Sequence, residues 1–253
     1  RDFCLSRGLG DVYKRQTIMD KEMVKLFTTL LSSHRVAVIG GGKYGLFKEQ
    51  LLAPLKLKGD LAKNLFLFPT TATAFYRYSK GWKNVYLHQL TKAERSLIKK
   101  TFQQVFDEIG YEHPKKTYGP VIEDRGTQVT FSALGQEIVA MLGKKGLKLK
   151  DEWRDKHTPT KMKIAKLMQK YLPNLEIRAA GHTSVDVTKK GIDKAFGLKQ
   201  IEKYLKVKIK DMLFIGDAIF PGGNDYAVVK TKVDYIPVKD PEDTKKIIQA
   251  ILN

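Results

Sequence analysis

Phe214-Ile215-Gly216-Asp217-Ala218-Ile219-Phe220-Pro221-Gly222-Gly223-Asn224-Asp225 is the stretch on which the reading of this chain turns. The apolar run Met212–Ile215 reads as a buried strand, and Gly216 releases it into a turn with Asp217 at its carboxyl end. Ligands of open α/β sheets collect at that end. The Pro-Gly-Gly turn then brings Asn224 and Asp225 back toward the same edge. Two carboxylates and an amide at one strand end suit Mg²⁺, which takes oxygen ligands and keeps several waters. A structural reading is equally open: Asp217 caps its turn, and Asp225 caps the next helix.

The pattern on both sides is an alternation of helices and strands. Upstream, a helix covers about 191–205 and carries Lys194 near its start. A generic lysine is solvated, but one opposite a metal–carboxylate site can neutralise a transferring phosphoryl group. Downstream come a helix near 223–229, a strand Val233–Ile236 and a terminal helix from Pro241. Near the other end, Met23, Leu26, Phe27, Leu30 and Leu31 share one helical face. The β-branched run Arg35–Ile39 then ends in Gly40-Gly41-Gly42, a helix follows to about Leu52, and Leu65–Phe68 is a strand. Such alternation predicts a mostly parallel sheet.

The middle departs from it. Tyr76–Tyr78 and Val85–Leu87 flank Gly81-Trp82-Lys83-Asn84 as a hairpin, and Val121–Glu123 and Gln128–Phe131 flank Asp124-Arg125-Gly126 as another. Between them, residues 91–109 form an amphipathic helix with Thr91 as N-cap and Glu94 in the capping-box position. A lysine-rich helix over about 160–171 and strands near Leu175–Arg178 and Ser184–Val187 complete an α+β module. The expected organisation is an α/β core over 17–79 and 188–253 with an α+β module inserted at 80–187. Residues 1–16 fit neither periodicity, resemble translated adapter sequence, and are expected to lie outside the fold.

Composition narrows the class. The chain has 253 residues, 42% hydrophobic and 29% charged, which excludes collagen, low-complexity disorder and a disulfide mini-protein. Cys4 is the single cysteine, so an internal disulfide, a multi-cysteine zinc site and an iron–sulfur cluster are excluded. The five histidines are scattered without metal-ligand spacing. No apolar run reaches the ~20 residues of a membrane helix, and the expected compartment is the cytoplasm. The net charge of +19 invites a nucleic-acid reading. Its lysines are interleaved with acids and form no long basic block, which fits a solvated surface or a field that attracts small phosphorylated anions.

Four elements together resemble the haloacid dehalogenase superfamily, and within it the phosphomannomutase-like branch. They are Gly216-Asp217 with Gly222-Gly223-Asn224-Asp225, Gly191-Ile192-Asp193-Lys194, Ser184-Val185-Asp186-Val187, and Glu123-Asp124-Arg125-Gly126 with Ser132-Ala133-Leu134-Gly135. The resemblance spans about residues 17–253. It implies a Rossmann-like α/β core that carries magnesium-dependent phosphoryl transfer through an aspartyl phosphate. An inserted cap would close over a small phosphorylated sugar. By motif match Asp217 ligates Mg²⁺ with Asn224 and Asp225 in support, and Lys194 binds the phosphoryl group. Arg125 clamps a substrate phosphate, Ser184 and Asp186 touch sugar hydroxyls or phosphate, and the cap is a candidate for homodimerisation. The backbone of Gly40, Gly41 and Gly42 is a further phosphate contact.

Three departures bear on activity. The superfamily nucleophile lies in Asp-x-Asp-Gly after an N-terminal strand, and this chain has no such pair; Asp11 is followed by Val12-Tyr13. The polypeptide as written is therefore expected to be inactive, its native start having been replaced. Gly40 stands where the superfamily has Ser or Thr, and Gln136 where the mutases have Arg, which favours a phosphatase over a mutase. Two rival readings compete with this one. Gly40-Gly41-Gly42-Lys43-Tyr44-Gly45 matches a dinucleotide-binding Gly-x-Gly-x-x-Gly for NAD, but Asp60 precedes the next strand instead of ending it. A lysine-rich RNA-binding protein is the other, and it predicts salt-sensitive RNA binding.

Overall fold

A computed structural model describes residues 2–6, by their backbone, together with 19–221 and 223–253. Asp11, Thr17 and Gly222 lie outside the described residues. The chain divides into two compact units, Arg1–Leu87 with Ile192–Asn253, and His88–Gly191. Strands of the first unit are β1 (Asp2–Ser6), β2 (Val36–Ile39), β3 (Leu65–Phe68), β4 (Ala74–Tyr78) and β5 (Trp82–Leu87). The second unit holds β6 (Ile122–Asp124), β7 (Val129–Ser132), β8 (Leu175–Ala180) and β9 (Ser184–Lys189), and the first resumes with β10 (Met212–Gly216) and β11 (Asp234–Pro237).

The first unit is a seven-stranded sheet in the order β11-β10-β1-β2-β3-β4-β5. Its first five strands in that order run parallel, and β4 and β5 are antiparallel. Period-2 alternation divides the side chains between two faces. Val36, Val38, Leu65, Leu67 and Ile215 pack with Met23, Phe27, Leu30 and Leu31 of the helix Lys21–Ser33 and with Ile248 of the helix Pro241–Leu252. Ala37, Ile39, Phe68, Met212 and Phe214 pack on the other side with Leu198, Ile201 and Leu205 of the helix Lys194–Leu205. Burial on both faces is why these strands read as continuous apolar runs.

The structure corrects the sequence reading at the N-terminus. Asp2–Ser6 is not outside the fold, because its backbone forms the middle of the five parallel strands, with Leu5 in register with Ile215 and Val38 and Ser6 with Ile39. The apolar triplet Phe3-Cys4-Leu5 is too short to carry a period. Ladder hydrogen bonds to two neighbours, which a local pattern does not encode, hold such a strand.

Other boundaries move for similar reasons. The hairpin β4–β5 pairs with β3, so it continues the first unit's sheet and the units divide at 87/88 and 191/192. The helix expected at 160–171 begins at Lys144 and passes through Pro159. The helix expected near 223–229 is a 3₁₀ segment, Tyr226–Thr231. Among the described residues no helix is long and apolar enough to cross a membrane.

The second unit is an antiparallel sheet in the order β6-β7-β9-β8. Val129, Phe131, Val185 and Val187 pack against Ile98, Phe102 and Val105 of the helix Lys92–Ile109 and Ile164 and Met168 of the helix Lys144–Tyr171. Thr91 and Glu94 close a reciprocal capping box at the start of the first of these helices. Alternation leaves Thr130, Ser132, Ser184, Asp186 and Thr188 on the opposite, polar face.

Candidate active site

In the first unit, chemistry gathers where β2 and β10 end. Asp193 caps the helix Lys194–Leu205 by accepting the Phe196 amide at 2.7 Å, which fixes Lys194 as its first residue. Lys194 Nζ donates to the Ile39 carbonyl at 3.1 Å and lies 3.4 Å from Asp225 Oδ1. Both side chains are buried, 6% and 2% exposed. A buried ammonium is tolerable only with such compensation.

Asp225 is placed by its own loop. Its Oδ2 accepts the Ala218 amide at 3.3 Å, and its amide donates to the Ala218 carbonyl at 3.1 Å. The side chain makes no cap bond to the 3₁₀ segment that follows, so the capping reading does not hold for Asp225. Two glycines make the arrangement possible. A Cβ on Gly223 would stand 2.1 Å from the Ala218 carbonyl oxygen, and one on Gly216 would stand 2.6 Å from Asp225 Oδ2. Asp217, partly buried, follows β10 directly, whereas Asn224 is exposed. Among the described residues no group of three or more His, Cys, Asp or Glu assembles that could hold a metal ion. The strand ends offer two carboxylates, and because Asp225 is paired with the buried Lys194, Asp217 is the one placed to hold a cation. That suits a magnesium ion held by a single carboxylate, phosphate oxygens and water.

The Gly40–Gly42 loop is stitched to the turn after β3. Gly40 donates to the Phe68 carbonyl at 3.2 Å, and the carbonyls of Gly40 and Gly42 accept the amides of Thr71 and Thr70, each at 2.9 Å. Thr70, Thr71 and Ala72 have φ of 48°, 55° and 64°, a left-handed run that L-residues adopt only when the surroundings impose it. Those surroundings include the Tyr86 hydroxyl, which donates to the Ala72 carbonyl at 2.8 Å. The loop leads into a four-residue helical turn, Tyr44–Phe47, and then a π-turn. The helical stretch continues unbroken through Leu55, so what speaks against a dinucleotide site is Asp60, which lies in the short helix Gly59–Lys63 ahead of β3 instead of ending that strand.

In the second unit, Arg125 and Asp186 enter one hydrogen-bonded network on the polar sheet face. Arg125 Nε donates to Glu123 Oε2 at 2.7 Å and Nη2 to Gln136 Oε1 at 3.1 Å. Gln136 Nε2 donates to the Thr130 carbonyl at 3.2 Å. The Thr130 hydroxyl donates to Asp186 Oδ1 at 2.8 Å and accepts Gln128 Nε2 at 2.8 Å. Ser184, in register with Ser132, sits two residues from Asp186 on the same face. Gln128 and Thr130 escaped the sequence reading, although the alternation Gln128-Val129-Thr130-Phe131-Ser132 is a legible signal of a polar face.

Known proteins share this organisation. Residues 23–253 match the family model described as eukaryotic phosphomannomutase. A phosphomannomutase of Encephalitozoon cuniculi is 26% identical over 254 residues, covering 96% of this chain and 90% of the relative. That of Drosophila melanogaster is 24% identical over 221 residues, covering 86% of this chain and 82% of the relative. Among solved structures, an N-terminally truncated, IMP-bound Plasmodium falciparum IMP-nucleotidase superposes with a TM-score of 0.69 at 13% identity, over 99% of this chain and 67% of the other. Aspergillus fumigatus trehalose-6-phosphate phosphatase gives 0.57 at 14% identity, over 99% and 92%. At such identities the two structures speak for the fold.

Proposed function

This chain belongs to the eukaryotic phosphomannomutase family of the haloacid dehalogenase superfamily, and from that membership we propose that its site serves Mg²⁺-dependent phosphoryl transfer on mannose phosphates. The observation that carries the reading is the buried Lys194–Asp225 pair between the ends of β2 and β10. Lys194 binds and neutralises the phosphoryl group. Held by the Ile39 carbonyl and Asp225, its ammonium needs no reorganisation when negative charge arrives. Asp217 is the carboxylate that would hold Mg²⁺, whose charge supports phosphate oxygens when bound. By motif Asn224 supports that ion, and Asp225 acts through Lys194 and the Ala218 amide.

The second unit serves as the cap. Arg125 binds a substrate phosphate, and Ser184 and Asp186 bind sugar hydroxyls. Gln136 accepts a hydrogen bond from Arg125, so it orients that guanidinium without supplying a second cation for another phosphate. This supports phosphatase chemistry alongside, or in place of, a mutase cycle.

Strand β1 is followed in sequence by Arg7-Gly8-Leu9-Gly10, where the superfamily has Asp-x-Asp-Gly. The expectation is that the chain as written binds its ligand without turning it over. The double substitution Arg7→Asp with Leu9→Asp supplies the pair at the family's spacing. Mg²⁺-dependent release of phosphate from mannose 6-phosphate, or conversion between mannose phosphates, is the expected gain. In that background Asp217→Ala abolishes it, and activity that survives Asp217→Ala would reject the metal assignment.

A further inference from the structure

The polar sheet face of the second unit contains two buried oxygens without a hydrogen-bond partner among the described residues, Gln128 Oε1 and Thr188 Oγ1. Gln128 is 0% exposed and Thr188 4%. Such groups cost about 1–3 kcal/mol each when left bare, and few native proteins keep them without a reason. Here the two belong to one rung. Val129 pairs with Val187 and Thr130 with Asp186, and the same register continued by one residue sets Gln128 opposite Thr188. Facing residues in an antiparallel pair have Cβ atoms about 4.5–5.5 Å apart.

The orientation of the Gln128 amide is fixed by its neighbours. The Asp186 carboxylate accepts the Thr130 hydroxyl proton, so Thr130 Oγ1 is left to accept, and Gln128 must present Nε2 to it. Oε1 therefore remains an acceptor, and across the rung Thr188 offers a hydroxyl that both donates and accepts. One small group satisfies both: a hydroxyl that donates to Gln128 Oε1 and accepts from Thr188. It would lie next to Asp186 on the same face.

We propose that Gln128 and Thr188 form a hydroxyl-recognition subsite that selects the sugar part of the substrate. The assignment rests on the sugar-phosphate reading given above. Solvent does not reach these oxygens in this conformation, so the ligand-free state bears their desolvation. That penalty is relieved when the face parts to admit a sugar hydroxyl. Ligands without hydroxyls draw nothing from the pair. It thus acts on sugar selectivity and leaves phosphate affinity alone.

Calorimetric titration of the full chain with Mg²⁺ present, using mannose 6-phosphate and inorganic phosphate in parallel, tests this. Gln128→Met and Thr188→Val keep volume and remove the polar atoms. Each is expected to weaken mannose 6-phosphate about fivefold, the scale of one lost hydrogen bond, while inorganic phosphate binds as before; the melting temperature holds or rises in Thr188→Val and falls modestly in Gln128→Met, which also gives up the Nε2 bond to Thr130. Unchanged mannose 6-phosphate affinity in both variants overturns the subsite. So does a lowered melting temperature with both ligands weakened together, which marks a structural role filled by an ordered water. An unaltered chain that binds phosphate but not mannose 6-phosphate overturns the sugar reading itself, and the subsite with it. A chain that binds neither rejects the phosphoryl site as well.

Discussion

Lys194 and Asp225 form a buried ion pair, Nζ to Oδ1 3.4 Å, although one residue lies before β10 in the chain and the other after it. The helix start delivers the cation, the Gly-rich loop delivers the anion, and the strand between them supplies the rigid reference. Neither charge has water to fall back on, so the pair must be kept or lost together.

Asp225→Asn leaves the Lys194 ammonium buried with its charge uncompensated, and a loss of about 3–5 kcal/mol is expected. Combining it with Lys194→Met removes both charges and is expected to recover most of that loss. Urea denaturation of the two single variants and the double variant measures the coupling. Simple additivity would show that the two residues do not depend on each other.

Gly216→Ala introduces a methyl 2.6 Å from Asp225 Oδ2 and 2.7 Å from the Phe214 ring, so Asp225 must give way. A loss of about 1–3 kcal/mol is expected, together with weaker phosphate binding because Lys194 loses its partner. Gly45→Ala, in the helical turn Tyr44–Phe47, meets nothing within 4 Å and serves as the neutral comparison, measured by thermal melting and calorimetry.

Acid stability has an identifiable source. Burial pushes Asp20 up, but hydrogen bonds from Lys245 and the Met23 amide outweigh it and hold the carboxyl below its ordinary 3.8. A depressed folded value means that the stabilisation is complete above 3.8 and is lost as pH falls through the folded value. Asp20→Asn keeps the helix cap and removes the charge. It is expected to lower stability at neutral pH and to flatten the loss below pH 3.8 in an acid-unfolding series.

Burial also lowers His182, although Asp151, 3.0 Å from its Nδ1, pulls the other way. The unfolded chain takes up this proton first. The contribution of His182 is therefore complete above its ordinary 6.5 and falls away as pH drops through the folded value. Urea midpoints at pH 7.5 and about 5.5 should converge in His182→Asn relative to the unaltered chain, through removal of this linkage.

Much of this molecule is readable from local sequence. The runs Val36–Ile39, Leu65–Phe68 and Met212–Gly216 announce themselves because strands buried on both faces admit only apolar residues. The helix Lys92–Ile109 does so because Thr91 and Glu94 satisfy each other's backbone amides. Asp217, Lys194, Arg125 and Asp186 stand out by motif. Less legible are elements whose support is distant. Asp2–Ser6 lacks a period of its own and exists as a strand because β10 and β2 flank it. The helix Lys144–Tyr171 is read only from about residue 160, because its earlier part is rich in lysine and buries just Gly146 and Trp153, too few to show a period.

Sequence alone determined the α/β alternation, the inserted module and the family, because periodicity and motif spacing are properties of neighbours along the chain. Tertiary structure decided what each charged group does. It turned Asp225 toward Lys194 and the Ala218 amide, drew Arg125 to Glu123 and Gln136, and left the side-chain oxygens of Gln128 and Thr188 on one rung without a hydrogen-bond partner among the described residues. The physical reason is that burial and hydrogen-bond geometry set the role of a polar atom, and both depend on segments far apart in sequence.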